Sequence, residues 1–318
     1  MKSEKWQISR RCFLKRTAFG AGLIALGHNG VKATEEKKRI RLGGPVFEKF
    51  NNPEEWVAAV KRYGYRAAIC PLDAKASDTI IKAYEEAARK ADITIAEVGA
   101  WGNNPIAPDE KTAKESIAGC QRQLELADKI GARCCVNVSG SRNPKSWAGE
   151  NPDNLTKETF DRIVEATRQI IDGVKPTRTY YTLEAMCWAY PDSAESYVAL
   201  IKAIDRERFG VHFDPTNLMC SPDRFYHSGE VIREFFDKLG PMIRSCHAKD
   251  ATLGPKALAH LDEVRPGLGG LDYKTLLTEL TKYPDVPLIL EHLSNAEEYK
   301  LAAEHLRSVA ASIGASFE

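Results

Sequence analysis

The chain has 318 residues, 45 Lys and Arg against 44 Asp and Glu, 43% hydrophobic residues and a formal net charge of +1 at pH 7. That length suits one large domain or one barrel, and the near balance of charge makes the chain a poor candidate for wrapping a phosphate backbone, where clustered cations supply most of the affinity, with a local basic patch as the alternative. Eight cysteines, several in apolar runs (Cys70, Cys134, Cys135, Cys246), read as buried thiols and not as a disulfide framework.

Residues 1–33 read as an export signal. The basic stretch Ser9-Arg10-Arg11-Cys12-Phe13-Leu14-Lys15 precedes a weakly apolar run from Ala18 to Leu26 and the small-residue end Val31-Lys32-Ala33. The run is too short for a permanent bilayer span, which needs about 20 residues, and its order is that of a signal peptide. The Arg-Arg pair followed by Phe-Leu-Lys resembles the twin-arginine export signal. This resemblance implies that the export machinery is a partner, that folding and cofactor loading come before export, and that the mature chain is periplasmic. A basic tail and a retained membrane anchor are the alternatives. Residues 34–318 keep 38 basic and 43 acidic residues, a formal net of −5, and seven cysteines. An odd number of cysteines fits thiols that stay reduced on this route.

From residue 40 the pattern alternates between short apolar strands and amphipathic helices. Strands are expected at 40–46, 65–71, 93–99, 133–139, 180–184, 209–214, 243–247 and 287–291. A helix is expected after each, at 53–63, 77–91, 110–130, 157–174, 193–204, 229–239, 272–283 and 296–312. Asn52, Ser77 and Ser193 are capping residues, Pro53 suits a first turn, and Gly64 and Gly131 are stops. Segments 140–154, 221–223 and 250–270 read as loops. Strict strand–helix alternation implies a parallel sheet with helical crossovers. Eight units in this length give a single (β/α)8 TIM barrel spanning 34–318, with a doubly wound open sheet as the alternative.

Four of the later strands end on hard metal-type ligands: Glu184 after Tyr181-Thr182-Leu183, Asp214 after His212-Phe213, His247 after Ser245-Cys246, and Glu291 after Ile289-Leu290. Barrel chemistry sits at the C-terminal strand ends, and alternation places Thr182 with Glu184, His212 with Asp214, and His247 with Lys249 on the inner face. Two glutamates, an aspartate and a histidine form an oxygen-rich set suited to Mn2+, with Mg2+, Co2+ or Zn2+ as alternatives. Buried carboxylates satisfied by Arg or backbone are the bland reading.

The order Glu, Asp, His, Glu on strands five to eight resembles the sugar phosphate isomerase/epimerase family, the xylose isomerase-like TIM-barrel group that includes ketose 3-epimerases. Cys246-His247-Ala248-Lys249-Asp250 is similar to its His-x-Lys-Asp segment, and Arg265-Pro266-Gly267-Leu268-Gly269-Gly270-Leu271-Asp272 to its Pro-x-Gly-x-Gly-x-x-Asp turn. The resemblance implies a metal-dependent sugar isomerase or epimerase working through an enediolate. Glu184 and Glu291 would be both ligands and acid/base groups, and Asp214 and His247 ligands only. It also implies a carbohydrate substrate and a homo-oligomer. A lyase or dehydratase expelling a group β to the carbonyl of a keto-sugar or keto-glycoside uses the same chemistry, and a non-catalytic sugar-binding barrel is a third reading. The sequence departs from the ketose 3-epimerase pattern at Asn217 and Leu253, where a substrate-touching His and Arg are expected. Too few suitably placed histidines are present for a three-metal endonuclease cluster, so no nucleic acid is expected.

Other residues carry two readings each. Lys249 binds substrate, moves a proton or makes a salt bridge. Trp101 and Trp188, after strand ends, stack on a sugar or pack their loops, and Asn217 contacts substrate in place of the family's His. His260 and Glu263 close over substrate or lie in a solvated loop. His212 makes a hydrogen bond below Asp214. Glu97 and Asn137 are inward-facing candidates, and the Gly267–Gly270 run is a turn device or, less specifically, a phosphate cradle.

Overall fold

The computed structural model describes residues 38–317; the expected export signal at 1–33 lies outside the described residues. Eight parallel strands close into a barrel. In chain order they are Leu42–Gly44, Ala67–Ile69, Thr94–Gly99, Cys134–Asn137, Tyr180–Glu184, Phe209–Phe213, Ile243–Ala248 and Leu288–Leu290. Each pairs with the next, and the eighth pairs with both the seventh (Leu288 beside Cys246) and the first (Leu288 beside Leu42). The expected (β/α)8 barrel is present. An open doubly wound sheet is excluded, because it would leave two unpaired edges.

Helices begin where the sequence supplies caps. Asn52 accepts a hydrogen bond from the Glu55 amide, Ser77 from Ile80 and Asp109 from Thr112, while Ser193 and Ser196 cap reciprocally. Each cap satisfies an amide that has no partner inside its helix. Gly131, at φ 74°, ends the helix Glu110–Ile130 in the left-handed region, where a side chain would be strained.

Two packing layers result. Outward strand residues such as Tyr181, Leu183, Val211 and Phe213 pack with Tyr197, Phe235 and Leu276 of the helices in one continuous shell. Ala67, Ala96 and Ile289 form a small separate cluster on the inner face of the barrel. Two register shifts tune what points inward. Ala68 pairs with Ile95 but Ile69 with Glu97, so Ala96 is an extra residue, and Val211 pairs with Ile243 but His212 with Ser245, so Arg244 is another. Such bulges re-aim the side chains beyond them. Here the bulge lets Glu97 follow Ala96 into the interior, where Glu97 accepts a hydrogen bond from Ser245.

Three expected details differ. The strand at 40–46 is two pieces: Lys38–Ile40 pairs with Ala315–Phe317 near the chain end, and only Leu42–Gly44 enters the barrel. The loop at 250–270 contains an antiparallel hairpin, Asp250–Leu253 with Leu261–Val264. Only Asp250 and Ala251 of its strand residues are buried, so no apolar alternation marks them. A short helix, Pro222–Tyr226, begins within the expected loop, capped by Ser221. Among the described residues no helix is long and apolar enough to cross a membrane.

Candidate metal centre

Glu184, Asp214, His247 and Glu291 converge. One ligand-type atom of each lies within 4.8 Å of the others. His247 Nδ1 is the hub: it is 2.7 Å from Glu291 Oε1, 3.1 Å from Glu184 Oε1 and 3.6 Å from Asp214 Oδ2. Glu184, Asp214 and His247 are buried and Glu291 is half-buried, at the C-terminal ends of strands five to eight.

Local contacts fix each side chain. The Tyr197 hydroxyl is 2.6 Å from the Leu183 carbonyl and 3.1 Å from that of Gly210, and it accepts from the Leu183 and His212 amides at 3.2 Å. It therefore clamps the strands that end on Glu184 and Asp214. Asp214 Oδ1 accepts from the Thr216 and Asn217 amides at 2.9 and 3.1 Å, leaving Oδ2 toward the cluster. Asn217 Nδ2 donates to Glu184 Oε1 at 3.0 Å and meets the Met186 sulfur at 3.2 Å. On the opposite side of the imidazole, His247 Nε2 is 3.2 Å from Glu97 Oε1, and Ser245 Oγ donates to Glu97 Oε2 at 3.1 Å.

Lys249 completes the charge pattern. Its Nζ is 2.7 Å from Asp214 Oδ2, 2.8 Å from Glu291 Oε1 and 3.7 Å from Glu184 Oε1. Of the readings open for this lysine, the salt bridge is the one seen. Burial pushes the Glu184 carboxyl up, and His247 and Lys249 offset it only in part. At Asp214 and Glu291 burial is outweighed by the same two cations. Asp214 is held well below the usual carboxylate range, and Glu291 is lowered to about 2. For His247 burial is outweighed by Glu97, Glu291 and Glu184, which hold it well above the ordinary imidazole range.

A cavity of about 370 Å3 opens above this cluster. Glu184, Glu291, Lys249, Asn217, Trp101 and Trp188 all line it, together with Val138 and Met186. Trp101 also approaches the His247 ring, with centroids 6.4 Å apart. His260 does not belong to this wall: it is exposed before the second hairpin strand, and its carbonyl accepts from the Gly254 amide. Glu263 does line the cavity, paired with His292 at 3.1 Å. His292 and Trp147, also in the wall, are not evident from the sequence. Trp147 stands in a polar loop, and His292 is outward by simple alternation but takes φ 59° after the strand has ended. A tryptophan inside a loop that follows a barrel strand is the one signal that would have found Trp147.

Two further expectations are corrected, and the glycine run takes the first of its two readings. Asn137 is turned out of the barrel, donating to the Asn103 carbonyl at 3.1 Å and meeting the Cys120 sulfur at 3.4 Å. His212 makes no hydrogen bond to Asp214; neither ring nitrogen has a hydrogen-bond partner, and Nδ1 lies 3.8 Å from Glu97 Oε2. Its ring meets that of His247 edge-on, with centroids 4.1 Å apart, and burial and the His247 charge lower it to about 3, so it is neutral. The glycine run is a turn device: Asp250 accepts from the amides of Gly267, Gly269 and Leu271 at 2.9–3.2 Å. A larger groove of about 570 Å3 lies between Tyr65 and Arg307, away from this chemistry.

The donor set fits a divalent cation. Four carboxylates (Glu97, Glu184, Asp214, Glu291) share Lys249 and His247 as close counter-charges, with His292 3.7 Å from Glu291 at the rim. Asp214 Oδ2, although ion-paired to Lys249, accepts no well-directed hydrogen bond. A buried excess of carboxylate oxygen with one imidazole is what hard divalent ions take.

The profile of the xylose isomerase-like TIM barrel family matches residues 57–309. Three similar solved structures span its range. Endonuclease IV from Thermus thermophilus has a TM-score of 0.66 at 14% identity, covering 86% of this chain and 99% of its own. A structure described as the probable 3-DHS dehydratase of petrobactin synthesis from Bacillus anthracis has a TM-score of 0.62 at 14% identity, covering 84% and 97%. The 3-keto-D-glucoside 4-epimerase from E. coli has a TM-score of 0.59 at 14% identity, covering 85% and 100%. At these identities the likeness is one of fold. No curated protein sequence matches the chain.

Proposed function

This chain belongs to the xylose isomerase-like TIM barrel family, and from that premise we propose that it is a divalent-metal-dependent sugar isomerase or epimerase. The observation that carries the proposal is the convergence of Glu184 and Glu291 with Asp214 and His247 at the floor of one cavity. Glu184, Asp214, His247 and Glu291 would hold the ion, Mn2+ being the best match to the donor set. When bound, such an ion polarises a sugar carbonyl and offsets the negative charge left when a neighbouring C–H proton departs.

The protein's own groups do the rest. Glu184 and Glu291 enter from strands five and eight, three apart in an eight-membered ring, so they approach a bound sugar from different sides. One carboxylate takes the proton from carbon and the other delivers a proton to the opposite face, giving an epimer; return to the neighbouring carbon gives an isomer. Asn217, donating to Glu184 Oε1, holds that carboxylate in one orientation. Lys249, between Asp214 and Glu291, limits the repulsion among the acids. Trp101, whose ring approaches His247, forms part of the cavity wall.

Solvent deuterium tests this reading. Metal-loaded protein should place deuterium on the carbon next to the carbonyl of a keto-sugar and form its epimer or isomer. Release of a β-substituent with no epimer would assign elimination instead. Tight sugar binding without any exchange would leave a binding barrel.

We also propose that residues 1–33 direct twin-arginine export to the periplasm. Seven free cysteines among the described residues support a chain that folds before it leaves a reducing compartment. Seven titratable thiols are expected on denatured periplasmic protein; two or three disulfides would remove that support.

A further inference from the structure

Trp147 and Trp188 both line the wall of the same cavity. The Trp188 indole N–H donates to the carbonyl of Ala148 at 2.9 Å, which ties the loop after strand five to the loop after strand four. Both rings are left partly in water, 36% and 39% exposed. Exposed indoles grouped at a cavity mark a contact surface.

The wall is built before any ligand arrives. Asn104 and Ser141 exchange two hydrogen bonds, at 2.8 and 3.0 Å. The fully buried Asn154 accepts from the Arg142 amide at 2.8 Å and donates to the Gly149 carbonyl at 3.0 Å. This stitching fixes the segment that carries Trp147, so the two indoles form a preorganised face with little ordering left to do on binding.

The charge of the cavity selects what the face can meet. Among the described residues Glu184, Glu263 and Glu291 line it, no Arg does, and its single Lys is Lys249, whose ammonium is already within 2.8 Å of two carboxylates. His292 is engaged by Glu263. Even with a divalent ion in place, a phosphoryl group would meet carboxylates without a free cation to hold it, a repulsive arrangement that disfavours anionic ligands.

We propose that Trp147 and Trp188 form a second subsite that stacks a neutral ring attached to the reacting sugar, so that the substrate class is an uncharged keto-glycoside and not a free or phosphorylated sugar. This rests on the sugar-enzyme reading above and adds its specificity. The reacting sugar lies over Glu184 and Glu291 under Trp101, and the attached ring lies against the two indoles.

Calorimetric titration of the full, Mn2+-loaded protein tests the subsite without requiring turnover. The probes are phenyl and methyl 3-keto-glucosides, 3-keto-glucose and its 6-phosphate. The phenyl glycoside should bind roughly tenfold tighter than the methyl glycoside or the free sugar, and the phosphate should be the weakest. Trp147→Ala and Trp188→Ala should each erase most of the phenyl advantage while leaving methyl glycoside affinity within about twofold. Trp188→Phe should retain part of it, and this variant serves if either alanine variant fails to fold. A phosphate that binds tightest, a phenyl-to-methyl ratio unchanged by both Trp variants, or no binding of any probe would overturn the proposal. Deuterium exchange, read separately on the same protein, reports whether the proton-transfer chemistry survives that failure.

Discussion

His247 Nε2 lies 3.2 Å from Glu97 Oε1, on the side of the imidazole away from the Glu184, Asp214 and Glu291 carboxylates that face Nδ1. An ionised Glu97 keeps a proton on Nε2, so a cation that displaces the Nδ1 proton would meet the lone pair of that nitrogen. Ser245 holds the other Glu97 oxygen, so the orientation is set two residues deep. Glu97→Gln should weaken Mn2+ binding by about 10–100-fold with little change in far-ultraviolet circular dichroism. Competition with a fluorescent chelator measures this. Unchanged affinity would remove Glu97 from any positioning role.

Glu184 and Glu291 are assigned to proton transfer as well as to the ion. Replacing either by Gln keeps a ligand oxygen but removes the base. Each variant should lose about 100- to 10,000-fold in solvent-deuterium exchange while still binding metal, with weaker affinity. If one variant exchanges at the native rate, that carboxylate is a ligand only.

The Tyr197 hydroxyl touches four backbone groups of strands five and six and is fully buried. Tyr197→Phe leaves these groups to rearrange without it. A loss of about 1–3 kcal/mol is expected, read as a lower melting temperature, with metal affinity falling because Glu184 and Asp214 ride on these strands. A variant as stable as the native protein would show that the strands do not depend on this clamp.

Asp128 supports the entry to strand five. Its Oδ1 accepts from the amides of Thr177, Arg178 and Thr179 at 2.7–3.0 Å. Burial raises its carboxyl, but these amides together outweigh burial and hold it below the usual range. Because the folded value lies below the unfolded one, the stabilisation is complete above an unfolded pKa of about 3.9 and is lost as pH falls through the folded value. Asp128 is half-exposed, so solvent screening limits the effect. Asp128→Asn should lower the melting temperature by a few degrees at pH 7, and the gap should close at low pH. A gap constant from pH 7 to pH 3 would contradict this.

Much of the site was legible because barrel alternation and the C-terminal position of ligands are both sequence patterns. Glu184, Asp214, His247 and Glu291 each follow a short apolar run, and simple period-two reasoning brings them together. The same reasoning fails at Asn137, which points with Cys135 into the helix layer. It could not foresee the bulge at Ala96 that aims Glu97, since a bulge depends on the register of strand two. The hairpin through Glu263 has no strand signal in the sequence because its strands, Asp250–Leu253 and Leu261–Val264, bury only Asp250 and Ala251. His292 and Trp147 reach the cavity through backbone turns after strand ends, which no periodicity encodes.

The most direct test is the metal content of protein purified without chelator, by elemental analysis, with the melting temperature followed as Mn2+ is added to stripped protein. The account predicts about one equivalent of a divalent ion per chain and a rise in melting temperature on reloading, both lost in Asp214→Ala. Protein that is metal-free as isolated, and whose stability and sugar binding do not respond to Mn2+, would contradict it.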